Sequence, residues 1–307
     1  MTRTRRLTVF VLACLVAAPL MAQAPRVYTI QELFTRNVGT PEQQNKQFPP
    51  HKIIGNVYYV GTESLASFLV TTPAGHILIN SVYERTVPTI QDSVQRLGFK
   101  FEDIKIVLGS HAHGDHMEGD GLVVKLTGAK AMAMAEDIPP LMAMRSPGGN
   151  PRPMYDVLHD GSDVTLGGVT LTAHLTPGHT PGCTTWTMKV QDGGRTYDVL
   201  IIGSVGVNPG TNLVGNPDLV AKYQQSFRYL HSAHVDVPLG SHPAMYKLSE
   251  KYAALQPGAA NPFIDPQSFQ DEVTIQETAF NNELQRQQKE GPPPPRGGGA
   301  GRAGGAP

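Results

Sequence analysis

The segment Ser110-His111-Ala112-His113-Gly114-Asp115-His116 places four metal-capable side chains within six residues. Side chains of an extended segment alternate between two faces. His111, His113 and Asp115 can therefore project to one side and His116 to the other. A turn at Gly114 would let the first two histidines serve one cation and Asp115 with His116 a second. Zinc takes imidazole and carboxylate ligands at about 2.0–2.2 Å and keeps a position open where it is catalytic. Such a cluster is hard to explain as an ordinary solvated loop. The chemistry it points to is that of a metal centre.

Two further ligands are needed, one for each cation. His179 lies in the turn Thr176-Pro177-Gly178-His179-Thr180-Pro181-Gly182, and His242 closes the short strand that begins at Val235. Histidines on strand ends and rigid turns suit a preorganised site. His51, His76, His159, His174, His231 and His234 read as ordinary histidines; the last two are close in sequence but follow a helix and lack a third partner. Cys183 could serve as a thiolate, yet between a Pro-Gly turn and a strand it reads better as a small buried residue. Trp186 and the methionines 132, 134, 142 and 144 read as packing residues.

The elements that must position these side chains are legible as periodicities. Residues 57–60, 67–70 and 77–79 are strand-like, with Thr72-Pro73-Ala74-Gly75 as a turn between the last two. Val87, Ile90, Val94 and Leu97 recur at helical spacing, and Gly98 ends that helix. The largely apolar run 104–108 predicts a strand buried on both faces, leading straight into the histidine cluster. A short helix, a strand at 129–134, a helix from Glu136 and a Pro/Gly loop at 146–153 follow. Strands are expected at 164–166, 169–175, 184–190, 197–202 and 235–239. Leu219, Tyr223, Phe227 and Leu230 mark one helix; Phe269, Val273, Phe280 and Leu284 mark the last, with Pro266 at its start. Residues 25–55 read as an N-terminal arm. The fold class is α/β with layered sheets.

Composition sets the frame. The chain has 307 residues, 40% of them hydrophobic, enough for a sizeable core, and a formal charge of −1, which leaves no basic footprint for nucleic acid. Arg3, Arg5 and Arg6 precede an apolar stretch at 7–20, too short to span a bilayer comfortably, and small residues follow at Ala22 and Ala24. Residues 1–24 therefore read as a secretory signal peptide, cut after Ala22 or Ala24, with a periplasmic or secreted destination. Cys14, with Leu12 before it, fits a lipidation motif poorly. Without the leader, 22 Lys and Arg face 26 Asp and Glu, a net of −4, and Cys183 is the one remaining cysteine. No intramolecular disulfide is then possible, so stability must come from packing and metal. From Gly291 the chain turns to proline, glycine, alanine and arginine, a tail (291–307) that cannot bury apolar surface. One domain is expected over 25–290.

These residues resemble the metallo-β-lactamase superfamily. The 111–116 motif, the Pro177-Gly178-His179-Thr180-Pro181-Gly182 turn and Gly240-Ser241-His242 match it in order and spacing, from Val57 to the C-terminal helix. Leu175-Thr176 before that turn, Thr184-Thr185-Trp186-Thr187 after it, and Asn261-Pro262-Phe263-Ile264-Asp265-Pro266 are most similar to subclass B3. The resemblance implies an αββα sandwich of two mixed β-sheets flanked by helices, with the site at one edge. It implies two zinc ions per chain, the first held by His111, His113 and His179, the second by Asp115, His116 and His242.

One position discriminates among such relatives. Those acting on thioesters and lactones carry a metal-bridging aspartate after the strand that follows the Pro-Gly-His turn, and other β-lactamase subclasses carry a cysteine there. Here Ile201-Ile202-Gly203-Ser204-Val205-Gly206 puts Ser204 at that point, and no aspartate lies between Asp198 and Asp218. The implied reaction is opening of a β-lactam ring by a metal-activated hydroxide without an acyl-enzyme. Asp115 and His116 would be catalytic, and Ser204 and Asn208 would contact substrate. Ser204-Val205-Gly206 is not a G-x-S-x-G nucleophile elbow. The expected partner is a small-molecule β-lactam, with no nucleic acid, no stable membrane association and a monomeric chain. The alternative is another zinc hydrolase of the same fold, a lactonase or thioesterase.

Overall fold

The computed structural model describes residues 26–294. The expected leader (1–24) lies outside the described residues, as does the expected tail beyond 294.

Two sheets carry the fold. The first has seven strands in chain order: β1 (His51–Ile54), β2 (Val57–Tyr59), β3 (Phe68–Thr72), β4 (Gly75–Ile79), β5 (Ile104–Leu108), β6 (Lys130–Met134) and β7 (Tyr155–Leu158). Pairing is antiparallel up to β4 and parallel from β4 to β7. The second sheet comprises β8 (Asp163–Leu166), β9 (Val169–Leu175), β10 (Thr184–Asp192), β11 (Arg195–Ile202) and β12 (Val237–Gly240), and runs from β12 to β8. Only its β11–β12 pair is parallel. Both sheets are thus mixed.

The first sheet's central strands carry apolar residues on both faces because each face has its own core. Phe68, Val70, Ile77, Ile79, Ile106 and Leu108 join Leu171, Ala173, Trp186 and Ile201 of the second sheet in one buried cluster. The intervening Leu69, Leu78, Ile104 and Val107 join a separate cluster with helix α3 (Val87–Arg96). That helix was legible from Val87, Ile90 and Val94, all fully buried. The second sheet packs in turn with α7 (Pro217–Ser232) and α9 (Pro266–Glu290) through Phe227, Leu230, Phe269, Val273 and Phe280. Each such side chain contributes about 1.5–3 kcal/mol when withdrawn from water. The layering is helix, sheet, sheet, helix. The other helices are α1 (Ile30–Val38), α2 (Pro41–Asn45), α4 (Gly114–Met117), α5 (Asp120–Thr127), α6 (Ile138–Ala143) and α8 (Leu248–Ala254).

The N-terminal segment departs from the expected arm. Thr29 accepts a hydrogen bond from Glu32 N while Glu32 accepts from Thr29 N, a complete capping box, and Thr40 with Gln43 forms a second. The α1 helix these caps start is fastened to α9 by a bidentate ion pair, Arg36 to Glu272, at 2.9 and 2.5 Å. Strand β1 completes the segment as the edge of the first sheet.

The strand ends that matter lie at one edge. Strand β5 delivers the 110–116 loop, and the parallel pair β11 and β12 ends together at Ile202 and Gly240. Hydrogen bonds stitch these exits together: Thr184 N to Ser110 O (2.8 Å) and Ala66 N to Ser241 O (3.2 Å) across the two sheets, and Ser241 N to Ile202 O (3.0 Å) within the second.

Candidate metal centre

The floor of the site is a strained turn after β4. Asn80 (φ 66°) and Val82 (φ 54°) are both left-handed. Asparagine tolerates that region, whereas a β-branched residue there is strained, and such strain concentrates at functional sites. The turn is held by what it grips. Asn80 Oδ1 accepts from both Ser110 N and Ser110 Oγ at 2.8 Å, which fixes the residue next to His111. Val82 N donates to His116 O at 3.0 Å. Below, the Trp186 indole donates to Gly109 O at 3.1 Å, so the single tryptophan is a core support, as its sequence context suggests.

On this floor the five histidines and Asp115 converge. The His111 ring lies 4.8 Å from that of His113, 4.5 Å from His179 and 4.1 Å from His116, centroid to centroid. His113 Nδ1 and His179 Nε2 face each other at 3.1 Å. Asp115 Oδ2 lies 3.4 Å from His116 Nε2 and 3.8 Å from His242 Nε2. One potential ligand atom each from His111, His113 and His179 falls within 4.8 Å of the others, and the same holds for His111, Asp115 and His116.

These groups fit a metal. Both ring nitrogens of His111 and of His116 are buried without a hydrogen-bond partner among the described residues. A buried polar group left unpaired costs about 1–3 kcal/mol, so lone pairs gathered in this way call for a Lewis acid. The tautomers agree. His179 Nδ1 donates to Gly206 O (2.7 Å) and His242 Nδ1 to Ser64 O (3.1 Å). A carbonyl only accepts, so each Nδ1 carries its hydrogen and each Nε2 keeps a lone pair for the centre. Five imidazoles and one carboxylate form a nitrogen-rich donor set of the kind zinc accepts.

Electrostatics keeps the groups in ligand-ready forms. Burial, reinforced by the neighbouring imidazoles, pushes His111 well below the ordinary histidine value. Burial and His113 lower His179 to about 3; burial and His116 lower His242 to about 4. Burial alone would raise Asp115, but His116, His242 and His113 outweigh it and hold the carboxyl well below the usual range. At neutral pH His111, His179 and His242 are neutral and Asp115 is an anion.

The other candidates fall out as follows. Ser204 is buried two residues beyond β11; its Oγ accepts from Gly206 N at 3.4 Å, and Gly206 carries the carbonyl that orients His179. No hydrogen bond among the described residues joins the half-buried Asn208 side chain to the cluster. Cys183 is fully buried, its thiol donates to Ser204 O at 3.1 Å, and burial pushes its pKa well up. Its thiol is committed to a backbone carbonyl, and Cys183 is in none of the groups that could hold a metal among the described residues. Cys183→Ser, which keeps a donor for Ser204 O, is therefore expected to retain the wild-type metal content by atomic absorption; loss of one metal per chain would restore the thiolate role. His234 does have further partners, contrary to expectation: Asp198 and Asp236 offer ligand atoms within 4.8 Å, although Lys189 Nζ already sits 2.6 Å from Asp198 Oδ1. Residues that the sequence did not single out include Asn80, Asp137 and Arg152. Their only local signal is position, close to a strand end, a short turn or a Pro/Gly loop.

A sandwich of two mixed sheets flanked by helices, with strand ends delivering a histidine-rich cluster to one edge, defines a class of metallohydrolase-like folds. The chain belongs to the metallo-beta-lactamase superfamily, whose family model matches residues 60–242. Among solved structures, it is 46% identical to the native FEZ-1 metallo-beta-lactamase from Legionella gormanii, with a TM-score of 0.75, covering 80% of this chain and 98% of that one. BJP-1, a subclass B3 metallo-beta-lactamase of Bradyrhizobium japonicum, is 37% identical with a TM-score of 0.76, covering 81% of this chain and 98% of that one. Among curated proteins, the mitochondrial persulfide dioxygenase of Homo sapiens is 28% identical over 141 residues, 42% of this chain. The chain spans 45% of the length of that relative, less than half.

Proposed function

We propose that this chain is a zinc-dependent β-lactamase that hydrolyses the β-lactam amide bond without an acyl-enzyme. The observation that carries the reading is the pairing of a converged His111, His113, Asp115, His116, His179 and His242 cluster with a serine, Ser204, on the loop where bridging carboxylates would otherwise be expected. Similarity to FEZ-1 and BJP-1 over four-fifths of the chain supports it.

His111, His113 and His179 would hold one zinc ion, and Asp115, His116 and His242 the other. When bound, zinc supplies Lewis acidity, which acidifies water towards a pKa of about 7 and polarises a carbonyl oxygen. The chain does the rest. Asp115, ionised and fixed between His116 and His242, accepts a hydrogen bond from the attacking water and so orients it. Water adds across the ring C–N bond, its oxygen going to the carbonyl carbon and a proton to the ring nitrogen. Ser204 is not the nucleophile: His179 Nδ1 is spent on Gly206 O, and among the described residues no histidine hydrogen-bonds Ser204. Its hydroxyl hydrogen remains free to meet a substrate carboxylate, and Asn208 is assigned to the same face. The arginine-rich, then apolar, start of the chain supports a periplasmic or secreted location. Among the described residues no helix is long and apolar enough to cross a membrane.

The test is turnover of a carbapenem and a cephalosporin against an acyl-lactone and a thioester, before and after chelation. The expected result is lactam hydrolysis that stops with chelator and returns with zinc. Turnover confined to the lactone or thioester would move the chain to the alternative branch of the fold.

A further inference from the structure

The 111–116 loop serves both halves of the cluster, and its His111–His113 part and its α4 part are each held by a different buried side chain. His111 and His113 flank Ala112, whereas His179 comes from a turn before β10. One carboxylate ties these together. Asp137, just before α6 and 2% exposed, accepts three hydrogen bonds. Its Oδ2 takes Ala112 N and Thr180 Oγ1, both at 2.8 Å, and its Oδ1 takes Gly182 N at 2.7 Å. The approach is close enough to dictate the sequence, since a Cβ on Gly182 would lie 2.6 Å from Asp137 N. No Lys or Arg pairs with Asp137 among the described residues, so these three donors are what compensates its burial.

The helix α4, which carries Asp115 and His116, is fastened elsewhere. Arg152, from the end of the Pro/Gly loop, donates to Met117 O at 2.7 Å and Glu118 O at 2.8 Å, two carbonyls at the C-terminal end of α4. Its guanidinium lies 3.6 Å from Asp120 Oδ2, and Asp120 also accepts from Ser81 Oγ (2.6 Å) and Tyr155 OH (2.8 Å). Asp137 and Arg152 share no hydrogen-bond partner among the described residues; the segments they hold meet only in the backbone, where His113 O accepts from His116 N (3.1 Å) and Met117 N (3.0 Å).

We propose that Asp137 and Arg152 are positioning residues for different halves of the metal centre: Asp137 sets the spacing of His111 and His113 against His179, and Arg152 sets Asp115 and His116. The inference rests on the two-zinc reading above. Removing a partner that orients metal ligands weakens binding by about 10–100-fold, and because Asp137 and Arg152 share no partner, each loss falls first on the half its own bonds hold. Asp137→Asn is the sharp variant. An amide has one oxygen, so its NH2 must face either Gly182 N–H or the Ala112 and Thr180 donors, and at least one donor meets a donor.

The experiment is a zinc titration of the full chain in competition with a chromophoric chelator, which resolves stepwise affinities, with Co2+ absorption spectra alongside. His179→Ala and His242→Ala identify the step belonging to each half. Asp137→Asn is expected to weaken the His179-dependent step about 10–100-fold and spare the other. Arg152→Gln is expected to do the reverse. Equal weakening of both steps in each variant, as general loosening would give, overturns the proposal; so do wild-type affinities in both. A single zinc step in the wild-type chain would instead overturn the two-zinc reading itself. Should Asp137→Asn not fold, Thr180→Val removes one of the three bonds and is expected to weaken the same step to a lesser degree; an unchanged step there also counts against the proposal.

Discussion

His116→Ala is expected to lower cephalosporin turnover by about 10³-fold or more while leaving the fold intact. A metal Lewis acid contributes several kcal/mol of charge stabilisation, and each 1.36 kcal/mol is tenfold in rate. Among the assigned ligands of the second zinc, His116 is the most enclosed: it is fully buried, with Asp115 Oδ2 3.4 Å from its Nε2 and the His242 ring 4.8 Å away. Its removal leaves Asp115 and His242 without the third donor of their half. The structural cost is small by comparison, because neither ring nitrogen of His116 is hydrogen-bonded within the chain. Turnover at saturating zinc and the melting temperature of the metal-free variant separate the two effects. Wild-type turnover would remove His116 from the second site, and collapse of the melting transition would show that it is a packing residue.

How much of this was legible depended on whether the relevant partners are local. The 111–116 motif could be read because four ligand types sit within six residues. His179 and His242 could be read because both sit where an apolar run stops, and strand ends are where this architecture presents side chains. Strand β5 was legible at its observed limits, since burial on both faces makes it apolar at every position but the exposed Lys105. The α1 helix was equally open to reading through Thr29 and Glu32, whose spacing is that of a capping box, but the surrounding polar sequence obscured it. Strand β7 hides because the two central residues of Tyr155–Leu158 are exposed, which breaks the alternation. Asp137 and Arg152 were beyond sequence reasoning for a stricter reason. Most of their partners are backbone groups 25 to 45 residues away, and no residue type marks a carbonyl or amide brought close by tertiary approach. The sequence thus announces the candidate ligands and conceals what aims them.

The same convergence dictates an acid sensitivity that metal should mask. The metal-free chain is expected to lose on the order of several kcal/mol of stability as pH falls from 7 towards 4, a large fraction of a typical total of about 5–15 kcal/mol. Burial, with help from adjacent imidazoles, lowers His179 to about 3 and His242 to about 4 from an ordinary 6.5. Between those values and 6.5 the unfolded chain binds protons that the folded chain refuses, so stability rises with pH across that window. The contribution is complete above about 6.5 and fades as pH drops through the folded values. Asp115 acts in the same direction at lower pH, because its folded pKa is also depressed. Urea midpoints of chelated protein at pH 7, 6 and 5 should therefore fall steadily. Bound zinc competes with protons for the same nitrogens, so the loaded protein should hold its midpoint until the metal leaves and then drop to the metal-free curve. A metal-free midpoint that stays level from pH 7 to pH 5 would mean that these imidazoles protonate freely in the folded chain, and the dry, neutral cluster on which the metal centre depends would not exist.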